Sequence, residues 1–338
     1  MQALTLTRFQ KRGFDAAVLQ DVAKPEPQAQ QVRVRMRAAA FNPADLHTIS
    51  GEMKMMSPIK PPFALGVDGA GVVDAVGTNV RGWAVGDEVF FYTGLVHGGT
   101  MAEYAVVDAA WLAKKPPTWS FEQAAAAPLA LLCANLALSR AQVQAGQRVL
   151  VHGGGGAVGA AAIVLACALG AEVDTTANGA DARYLKTLGA HTVFDYQTQP
   201  LNSLQPSSYD MVLDGMGGAT FMQSLPLIQH GGVIASLQVM TGLDDMLRMG
   251  MQPPFIVKWL LPLMFGKFTK ATRKAGLRLV GVATFGDGPT LSTLGERAVG
   301  LGYQPRIAKV FDLAEAPYAL AHFANGKPRG KVVLTLGA

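Results

Sequence analysis

The chain has 338 residues, of which 50% are hydrophobic and 16% are charged, and this composition excludes a disordered or low-complexity protein. Its length is about twice that of a typical domain, so we expect two domains. The 29 basic and 24 acidic residues leave a net charge of +5, which requires neither nucleic acid nor a membrane as partner.

The cysteines and the amino terminus indicate the compartment. Cys133 and Cys167 each lie in an alanine- and leucine-rich stretch, which disfavours both a disulfide and a thiol nucleophile. The amino terminus, MQALTLTRF, alternates like a strand and lacks the pattern of a signal peptide. We therefore expect a cytoplasmic protein.

The first 120 residues are predicted to form a β-rich module. Short alternating runs, interrupted by glycine and proline, include QVRVRM, GVVDAV, DEVFFY and AEYAVV. A helix then begins in SFEQAAAAPLALLCANLAL, where Ser120 and Gln123 match the capping-box pattern. We interpret this helix as the start of a second module.

In the second module strand and helix patterns alternate, which indicates a parallel sheet wrapped by helices. The closing segment of the chain again has the pattern of a strand, a helix and a strand, and we assign it to the first module. The predicted organisation is a β-rich domain of residues 1–119 and 303–338 around a nucleotide-binding domain of residues 120–302.

The strongest motif is a glycine-rich turn between a strand and a helix, in RVLVHGGGGAVGAAAIVLACALGAEV. Gly154, Gly156 and Gly159 have the spacing that lets a main chain turn tightly and approach a diphosphate, whose charge the helix start favours. A purely structural turn is the alternative, but the complete strand, helix and next strand favour the nucleotide site. The residues expected to contact the diphosphate are Gly154, Gly155, Gly156, Ala157 and Val158.

The end of the second strand of this domain indicates which nicotinamide cofactor binds. NAD enzymes usually place an acidic residue there, against the ribose hydroxyls. Here the strand AEVDTT continues through Asp174, whose side chain we expect to point into the packing layer of the sheet. The groups that suit a 2′-phosphate instead are Thr176, Asn178, Arg183 and Tyr196. The sequence therefore favours NADPH over NADH.

Four segments together resemble the zinc-free medium-chain dehydrogenase/reductases of the quinone oxidoreductase type, the zeta-crystallin-like family. They are AAAFNPADLHTISG, PPFALGVDGAGVVDAVGTNVRGWAVGDEVF, EQAAAAPLALLCANLAL and VHGGGGAVG, and the resemblance covers nearly the whole chain. It implies an α/β fold with a GroES-like β-rich catalytic domain and a Rossmann domain with a doubly wound parallel sheet. It also implies a homodimer, formed through the last strand of the Rossmann domain near residues 279–284.

The resemblance also indicates which residues would have to ligate zinc if the protein bound it. Zinc-dependent relatives need a cysteine in the first of these segments and a His-Glu pair in the second, where this chain has Asn42 and the pair Val67 and Asp68. These groups do not make a tetrahedral zinc site, and two cysteines are too few for a four-cysteine structural site. Scattered histidines such as His47, His97 and His152 are the remaining alternative for a metal site, but a chance scatter explains them, so we expect no metal.

The residues expected around the nicotinamide come partly from the resemblance. It implies that the Asn42 amide donates a hydrogen bond to a substrate carbonyl, with a turn residue before Pro43 as the alternative. His47 stands where several family members have a tyrosine and is expected to donate a proton, with a structural or exposed histidine as the alternative. From the strand pattern, Phe285 is expected to face the nicotinamide. Lys331 is expected to contact the cofactor phosphates, with solvated surface charge as its alternative.

Residues 246–268 are rich in methionine, phenylalanine, tryptophan and leucine. A flexible apolar lid over the substrate has this composition, and so does a plain packing helix. The nearby cations leave a helix on a membrane surface as a further alternative; they are Lys267, Lys270, Arg273 and Lys274.

The sequence predicts an NADPH-dependent oxidoreductase that transfers hydride, without a metal, to a quinone or to an activated alkene such as an α,β-unsaturated carbonyl. An enoyl-thioester reductase is the rival within the same fold. A non-catalytic NADPH-binding protein is the rival of another class. The substrate is expected to be a small molecule, with no nucleic-acid or membrane partner.

Overall fold

The structure is a computed structural model that describes residues 1–52, 54–55, 57–95, 97–326 and 328–337. For residues 256–259 and 261–264 it describes the main chain alone. These side chains belong to the expected lid of residues 246–268, so that part of the prediction lies outside the described residues. No helix in the described part of the chain is long and apolar enough to cross a lipid bilayer.

Strands dominate the first third of the chain and alternate with helices after it. The strands are β1 (Gln2–Leu6), β2 (Ala17–Asp21), β3 (Gln31–Ala40), β4 (Phe63–Ala64), β5 (Asp68–Val76), β6 (Glu88–Tyr92), β7 (Tyr104–Asp108), β8 (Leu112–Lys114), β9 (Arg148–His152), β10 (Glu172–Ala177), β11 (Thr192–Asp195), β12 (Tyr209–Asp214), β13 (Ile228–Ser236), β14 (Arg278–Gly281), β15 (Ile307–Asp312) and β16 (Lys331–Thr335). The helices are α1 (Pro43–Ser50), α2 (Phe121–Ala125), α3 (Pro128–Ala141), α4 (Ala157–Ala168), α5 (Ala182–Thr187), α6 (Gly218–Ser224), α7 (Leu243–Arg248), α8 (Phe255–Lys274), α9 (Gly288–Gly300) and α10 (Ala316–Gly326).

Contacts divide the chain into two compact units, of which the first comprises residues 1–132, 249–252 and 285–338. Its larger sheet has seven strands in the order β15-β16-β3-β5-β6-β8, with β7 also paired to β3, and its smaller sheet has the order β2-β1-β4. In β3 the side chains of Val32, Val34 and Met36 are buried in the core, whereas the two arginines between them are not. This alternation is typical of a strand with one side against a core, and the predicted β-rich domain is confirmed.

The contact-based limits of the units differ from the domain limits that the sequence suggested. The predicted capping box is present, since Ser120 Oγ accepts the Gln123 N–H at 3.2 Å. Yet α2 packs on β3 and β5, and α9 packs on β8, so residues 120–132 and 285–302 belong by contact to the first unit. The interpretation of this helix as the start of the second module thus disagrees with its packing. The domain limits at residues 119/120 and 302/303 stay a prediction.

The second unit comprises residues 133–248 and 253–284. Its six strands pair in parallel in the order β11-β10-β9-β12-β13-β14. Numbered along the chain within this unit, the order is 3-2-1-4-5-6, that of the Rossmann fold. The direction of winding reverses between β9 and β12, and ligands of such sheets bind beyond the carboxyl ends of the strands at that reversal.

Candidate active site

The glycine-rich turn lies at the carboxyl end of β9, where the sheet order reverses. Gly153 is left-handed, with a φ of 71°. A Cβ at Gly154 would lie 2.2 Å from Thr175 Oγ1, and a Cβ at Gly159 would lie 2.4 Å from the Gly153 carbonyl oxygen. Glycine is required at these positions because the start of α4 lies so close to the strand that precedes it.

The start of α4 is open to a ligand. Gly156 is its N-cap, and no side chain of the described residues caps it. Gly156 is exposed, and Gly155, Ala157 and Val158 are half-buried. Because the first amides of a helix have no acceptors within the helix, an accessible and uncapped start suits an anion. We call the space around Gly154 and the start of α4 the glycine cradle. A side chain at Gly154 would fill this space, and its shape fits the diphosphate of a dinucleotide.

Thr176, one of the predicted contacts, stabilises the glycine-rich turn through its carbonyl and its hydroxyl. Its carbonyl accepts the N–H groups of Gly153 and Gly154, both at 3.0 Å. Its hydroxyl lies 3.0 Å from Nδ1 of His152, whose Nε2 lies 2.8 Å from Ser224 Oγ. Burial lowers the pKa of His152 to about 4, so this imidazole is neutral and both of its nitrogens have hydroxyl partners. Thr176 and His152 therefore position the turn.

Asn178, Arg183 and Tyr196 lie on the segments that follow β10 and β11. The Asn178 side-chain oxygen accepts a main-chain N–H at 2.9 Å and so caps the short turn Gly179–Asp181. Tyr196 is 59% exposed, and its N–H donates to the carbonyl of Ala177, the last residue of β10, at 3.2 Å. Arg183 is exposed on α5. Arg183 and Tyr196 thus present accessible groups near this strand end, whereas Asn178 has a structural partner.

Asp174 is buried, with an exposure of 1%, and lies towards the opposite edge of the sheet. Its carboxylate accepts hydrogen bonds from the Tyr209 hydroxyl at 2.9 Å and from Arg148 Nη2 at 3.0 Å. Arg148 and Tyr209 are the first residues of β9 and β12, so this contact is at the amino ends of the strands. The prediction that Asp174 points into the packing layer is confirmed.

The same amino edge has side chains of the kind that ligate metals. Ligand atoms of Glu172, Asp174 and His191 lie within 4.8 Å of one another. Arg148, however, already bonds Glu172 Oε1 and Asp174 Oδ2, at 3.0 Å each. Because one guanidinium pairs with both carboxylates, we interpret this cluster as an ion-pair network.

Asp181 is an acidic residue at the glycine turn that the sequence reasoning missed. It is 3% exposed, and a Cβ at Gly155 would lie 2.7 Å from its Oδ2. The carboxylate therefore packs against the turn itself. Its position soon after β10 was the available signal, because an acidic residue near the end of this strand meets the ribose of NAD.

Asn42, Asp68 and Lys331 form a buried cluster in the first unit. The amide nitrogen of Asn42 donates to Asp68 Oδ2 at 3.0 Å and to the Ala40 carbonyl at 3.3 Å. The ammonium of Lys331 donates to Asn42 Oδ1 at 2.5 Å and to Asp68 Oδ2 at 2.9 Å. Asn42 is 2% exposed, and both of its amide hydrogens are engaged. The expected hydrogen bond from this amide to a substrate carbonyl stays a prediction, and a substrate that makes it must displace one of these two acceptors.

Lys331 is not a solvated surface cation. It is 5% exposed, and its partner Asp68 is fully buried. Asp68 Oδ1 also accepts the Leu129 N–H at 2.9 Å, at the start of α3. The ammonium thus has two partners inside the protein, and the expected contact of Lys331 with the cofactor phosphates stays a prediction.

Asp45 and His47 lie on α1, which Asn42 caps. The Asp45 carboxylate accepts the Asn42 N–H at 2.7 Å, and burial raises its pKa to about 7. His47 is more open, with 45% of its side chain exposed and Nδ1 2.6 Å from Glu52 Oε2. Asp45 fixes the loop, and the proton-donating role of His47 stays a prediction.

Phe285 is half-buried and comes directly after Thr284, where the second unit gives way to the first along the chain. The Thr284 hydroxyl lies 2.8 Å from the Cys133 sulfur. The predicted contact of Phe285 with the nicotinamide stays a prediction.

Comparison with known proteins identifies the family. Residues 28–117 match the family described as alcohol dehydrogenase GroES-like domain, and residues 188–334 match the one described as zinc-binding dehydrogenase. A quinone oxidoreductase of Sus scrofa is 34% identical over 242 residues, which are 69% of this chain and 71% of that protein. An NADPH-dependent alkenal/one oxidoreductase of Arabidopsis thaliana is 34% identical over 235 residues.

The Arabidopsis match covers 67% of this chain, which spans 60% of the length of that relative. Among solved structures, the quinone oxidoreductase from Coxiella burnetii aligns with a TM-score of 0.84 and 29% identity, covering 100% of this chain and 99% of that one. The predicted fold, a GroES-like domain with a Rossmann domain, is confirmed by these matches. The chain belongs to the medium-chain dehydrogenase/reductase family, in its quinone oxidoreductase branch.

Proposed function

We propose that this protein uses NADPH to reduce a quinone or an α,β-unsaturated carbonyl compound, without a metal. The observation that carries the proposal is the glycine cradle at the carboxyl end of β9, which an uncapped helix start follows. The names of the pig and Arabidopsis relatives support both acceptor classes, and the Arabidopsis name supports NADPH. When bound, the dihydronicotinamide supplies the hydride.

The protein's own residues bind and orient this cofactor. The amides from Gly155 to Val158 bind the diphosphate, and Thr176 and His152 hold them in place. Arg183 and Tyr196, the accessible groups beyond β10, bind the 2′-phosphate. Gly154 lets the main chain approach the phosphates, and Asn178 shapes the turn that leads to α5.

The metal-free mechanism is supported by the cluster around Asn42. Positions 42 and 68, where zinc-dependent relatives have a ligand and its neighbour, hold an amide and a carboxylate that both contact the Lys331 ammonium. A cation already neutralises Asp68, so this pair has no charge to offer a second cation. We propose that Asn42 and Lys331 act here as positioning residues, and their direct contacts with ligands stay predictions.

His47 is the proton donor that we propose for the developing enolate or hydroquinone. Its Nδ1 pairs with the Glu52 carboxylate at 2.6 Å, so Nε2 is the nitrogen that we expect to donate to a substrate. Because the side chain is 45% exposed, solvent replenishes the proton.

A second candidate function is the same reduction with NADH as the cofactor. The Asp181 carboxylate against Gly155 favours NADH, because an acid near the ribose accepts hydrogen bonds from its hydroxyls and repels a 2′-phosphate. The two candidates are distinguished by kcat/KM for NADPH and for NADH with the same acceptor.

The test of the function is the oxidation of NADPH and of NADH, followed by absorbance, with quinones, alkenals, enones and enoyl thioesters. We expect turnover with quinones or enones. Fastest turnover with an enoyl thioester would support an enoyl-thioester reductase. Tight NADPH binding without turnover on any acceptor would support a non-catalytic binding protein.

The assembly and the compartment belong to the same proposal. β14 is at the end of the sheet order, so its outer edge is open within the described chain and suits pairing with β14 of a second copy. We propose a homodimer built on this edge, in the cytoplasm. Light scattering after size-exclusion chromatography tests it, and a monomer at working concentrations contradicts it.

A further inference from the structure

Residues 246–286 account for the positive charge of the whole chain. Seven of the 29 basic residues and none of the 24 acidic ones lie there. The remainder therefore has 22 basic and 24 acidic residues, a formal charge of −2. Ordinary surfaces intersperse both signs, so this separation requires an explanation. Helix α8 (Phe255–Lys274) contributes five of the seven cations.

The second half of α8 has a fixed inward face. Phe265, Phe268 and Ala271 pack against the core cluster of the second unit. The Phe268 ring meets Phe221 edge-on, with 4.9 Å between the centroids, and Thr272 is 1% exposed. These contacts determine which side of the helix points outward.

The outward face is cationic. Lys267, Lys270 and Lys274 recur at intervals of three and four residues, which places them on one side of the helix, and all are exposed, as is Arg273. Within the part of the chain that the structure describes, none of these four side chains has an ion-pair partner. Their charge is therefore available to an external anionic surface.

The first half of α8 exposes apolar side chains. Phe255 is 74% exposed and Leu260 is 43% exposed. Leu260 lies seven residues before Lys267, or about two turns, so it shares the cationic face. Exposed apolar groups together with a cationic face are the features of helices that lie in a lipid interface without crossing it.

We propose that α8 docks this protein on the surface of a membrane that contains anionic lipids. Phe255 and Leu260 enter the headgroup region, and the four cations contact lipid phosphates and carboxylates. From the sequence alone, a membrane-surface helix is one of three alternatives for this segment, because the exposure of its side chains is not visible there. The inference does not depend on the proposed reaction, although lipid-soluble acceptors are concentrated at such a surface.

The test measures binding of the full chain to phosphatidylcholine vesicles with and without phosphatidylserine, by co-sedimentation at low and high salt. We expect binding to the anionic vesicles alone. The triple variant Lys267→Gln, Lys270→Gln, Lys274→Gln should lower the partition coefficient on the order of 100-fold, because each cation near an anionic surface contributes roughly fivefold.

The matched control is Lys11→Gln, Arg12→Gln, Lys60→Gln, which removes three exposed cations elsewhere and also lowers the net charge from +5 to +2. We expect it to change binding by less than about fivefold. An equal loss in both triple variants, or no binding of the unmodified protein to anionic vesicles, overturns the proposal. Circular dichroism and cofactor affinity verify that both variants fold.

A separate experiment tests the exposed apolar side chains of α8, Phe255 and Leu260. Phe255→Ser and Leu260→Ser together should weaken vesicle binding at high salt, where the cations are screened. If soluble polyglutamate competes as well as vesicles do and this double variant binds like the unmodified protein, the surface recognises polyanions in general and the membrane proposal is overturned.

Discussion

The glycine turn after β9 and the cluster of Asn42, Asp68 and Lys331 handle charge in opposite ways. The turn presents main-chain amides at an accessible helix start that no side chain of the described residues caps. The cluster instead buries a carboxylate with an ammonium and an amide as its partners. The difference supports the proposal that the turn binds a ligand, whereas the cluster stabilises the fold of the first unit.

The largest expected effect is on the free energy of unfolding, when the buried ion pair of Asp68 and Lys331 is broken. Lys331→Met leaves Asp68 charged and fully buried, so we expect a loss of about 3–5 kcal/mol in the free energy of unfolding. Urea denaturation measures it. The double variant Asp68→Asn, Lys331→Met should regain part of that loss. A single variant as stable as the unmodified protein would show that the pair is not needed.

The second prediction concerns Asp45, whose pKa burial raises to about 7. Because the folded-state pKa lies above that of the unfolded chain, its contribution is complete below about pH 4 and declines as the pH rises through 7, on the order of 4 kcal/mol in all. Asp45→Asn should flatten the stability profile over this range. Equal slopes for the two proteins between pH 4 and 7 would contradict the assignment.

The third prediction tests the turn. Gly154→Ala places a Cβ 2.2 Å from Thr175 Oγ1, so we expect NADPH affinity to fall about 100-fold, as calorimetry measures. Gly300→Ala is the matched control, because a Cβ there meets nothing within 4 Å. Equal affinities in the two variants would remove the turn from the site.

The fourth prediction separates side-chain recognition from main-chain recognition. Arg183→Ala should raise the KM for NADPH about tenfold, because a charge-assisted hydrogen bond is lost, and leave the KM for NADH unchanged. The KM of Arg183→Lys for NADPH should lie between that of the unmodified protein and that of Arg183→Ala. If Asp181→Asn instead improves NADPH use and Arg183→Ala has no effect, the carboxylate determines the cofactor.

The smallest expected effect is at His47. His47→Phe should lower kcat roughly tenfold with little change in NADPH affinity, because solvent at this exposed position partly replaces the proton donor. His47→Gln, which keeps a donor, should lose less. Unchanged turnover in steady-state assays with an enone would exclude His47 from the chemistry.

What the sequence could predict follows from how far apart the interacting residues lie along the chain. The turn, the Rossmann sheet and the Ser120–Gln123 cap involve neighbours whose spacing is itself the signal. The continuation of the strand β10 through Asp174 also predicted the burial of this residue. The contact between Asn42 and Lys331 joins positions 289 residues apart, which local patterns do not encode.

Two further features depend on contacts that local patterns do not encode. Because α9 packs on β8, residues 285–302 belong by contact to the first unit, although the local pattern continues the strand and helix alternation. The exposed face of α8 depends on contacts of Phe265 and Phe268 with the core, so the composition of the segment left lid, packing helix and membrane surface open.

The hydrogen bonds that Asp68 accepts also affect how parts of the chain unfold locally. Its two oxygens accept hydrogen bonds from the Leu129 amide, the Asn42 side chain and the Lys331 ammonium. The start of α3, the loop before α1 and the start of β16 therefore share one acceptor group. We expect amide hydrogen exchange to show these three segments opening as a single cooperative unit, although they are far apart along the chain.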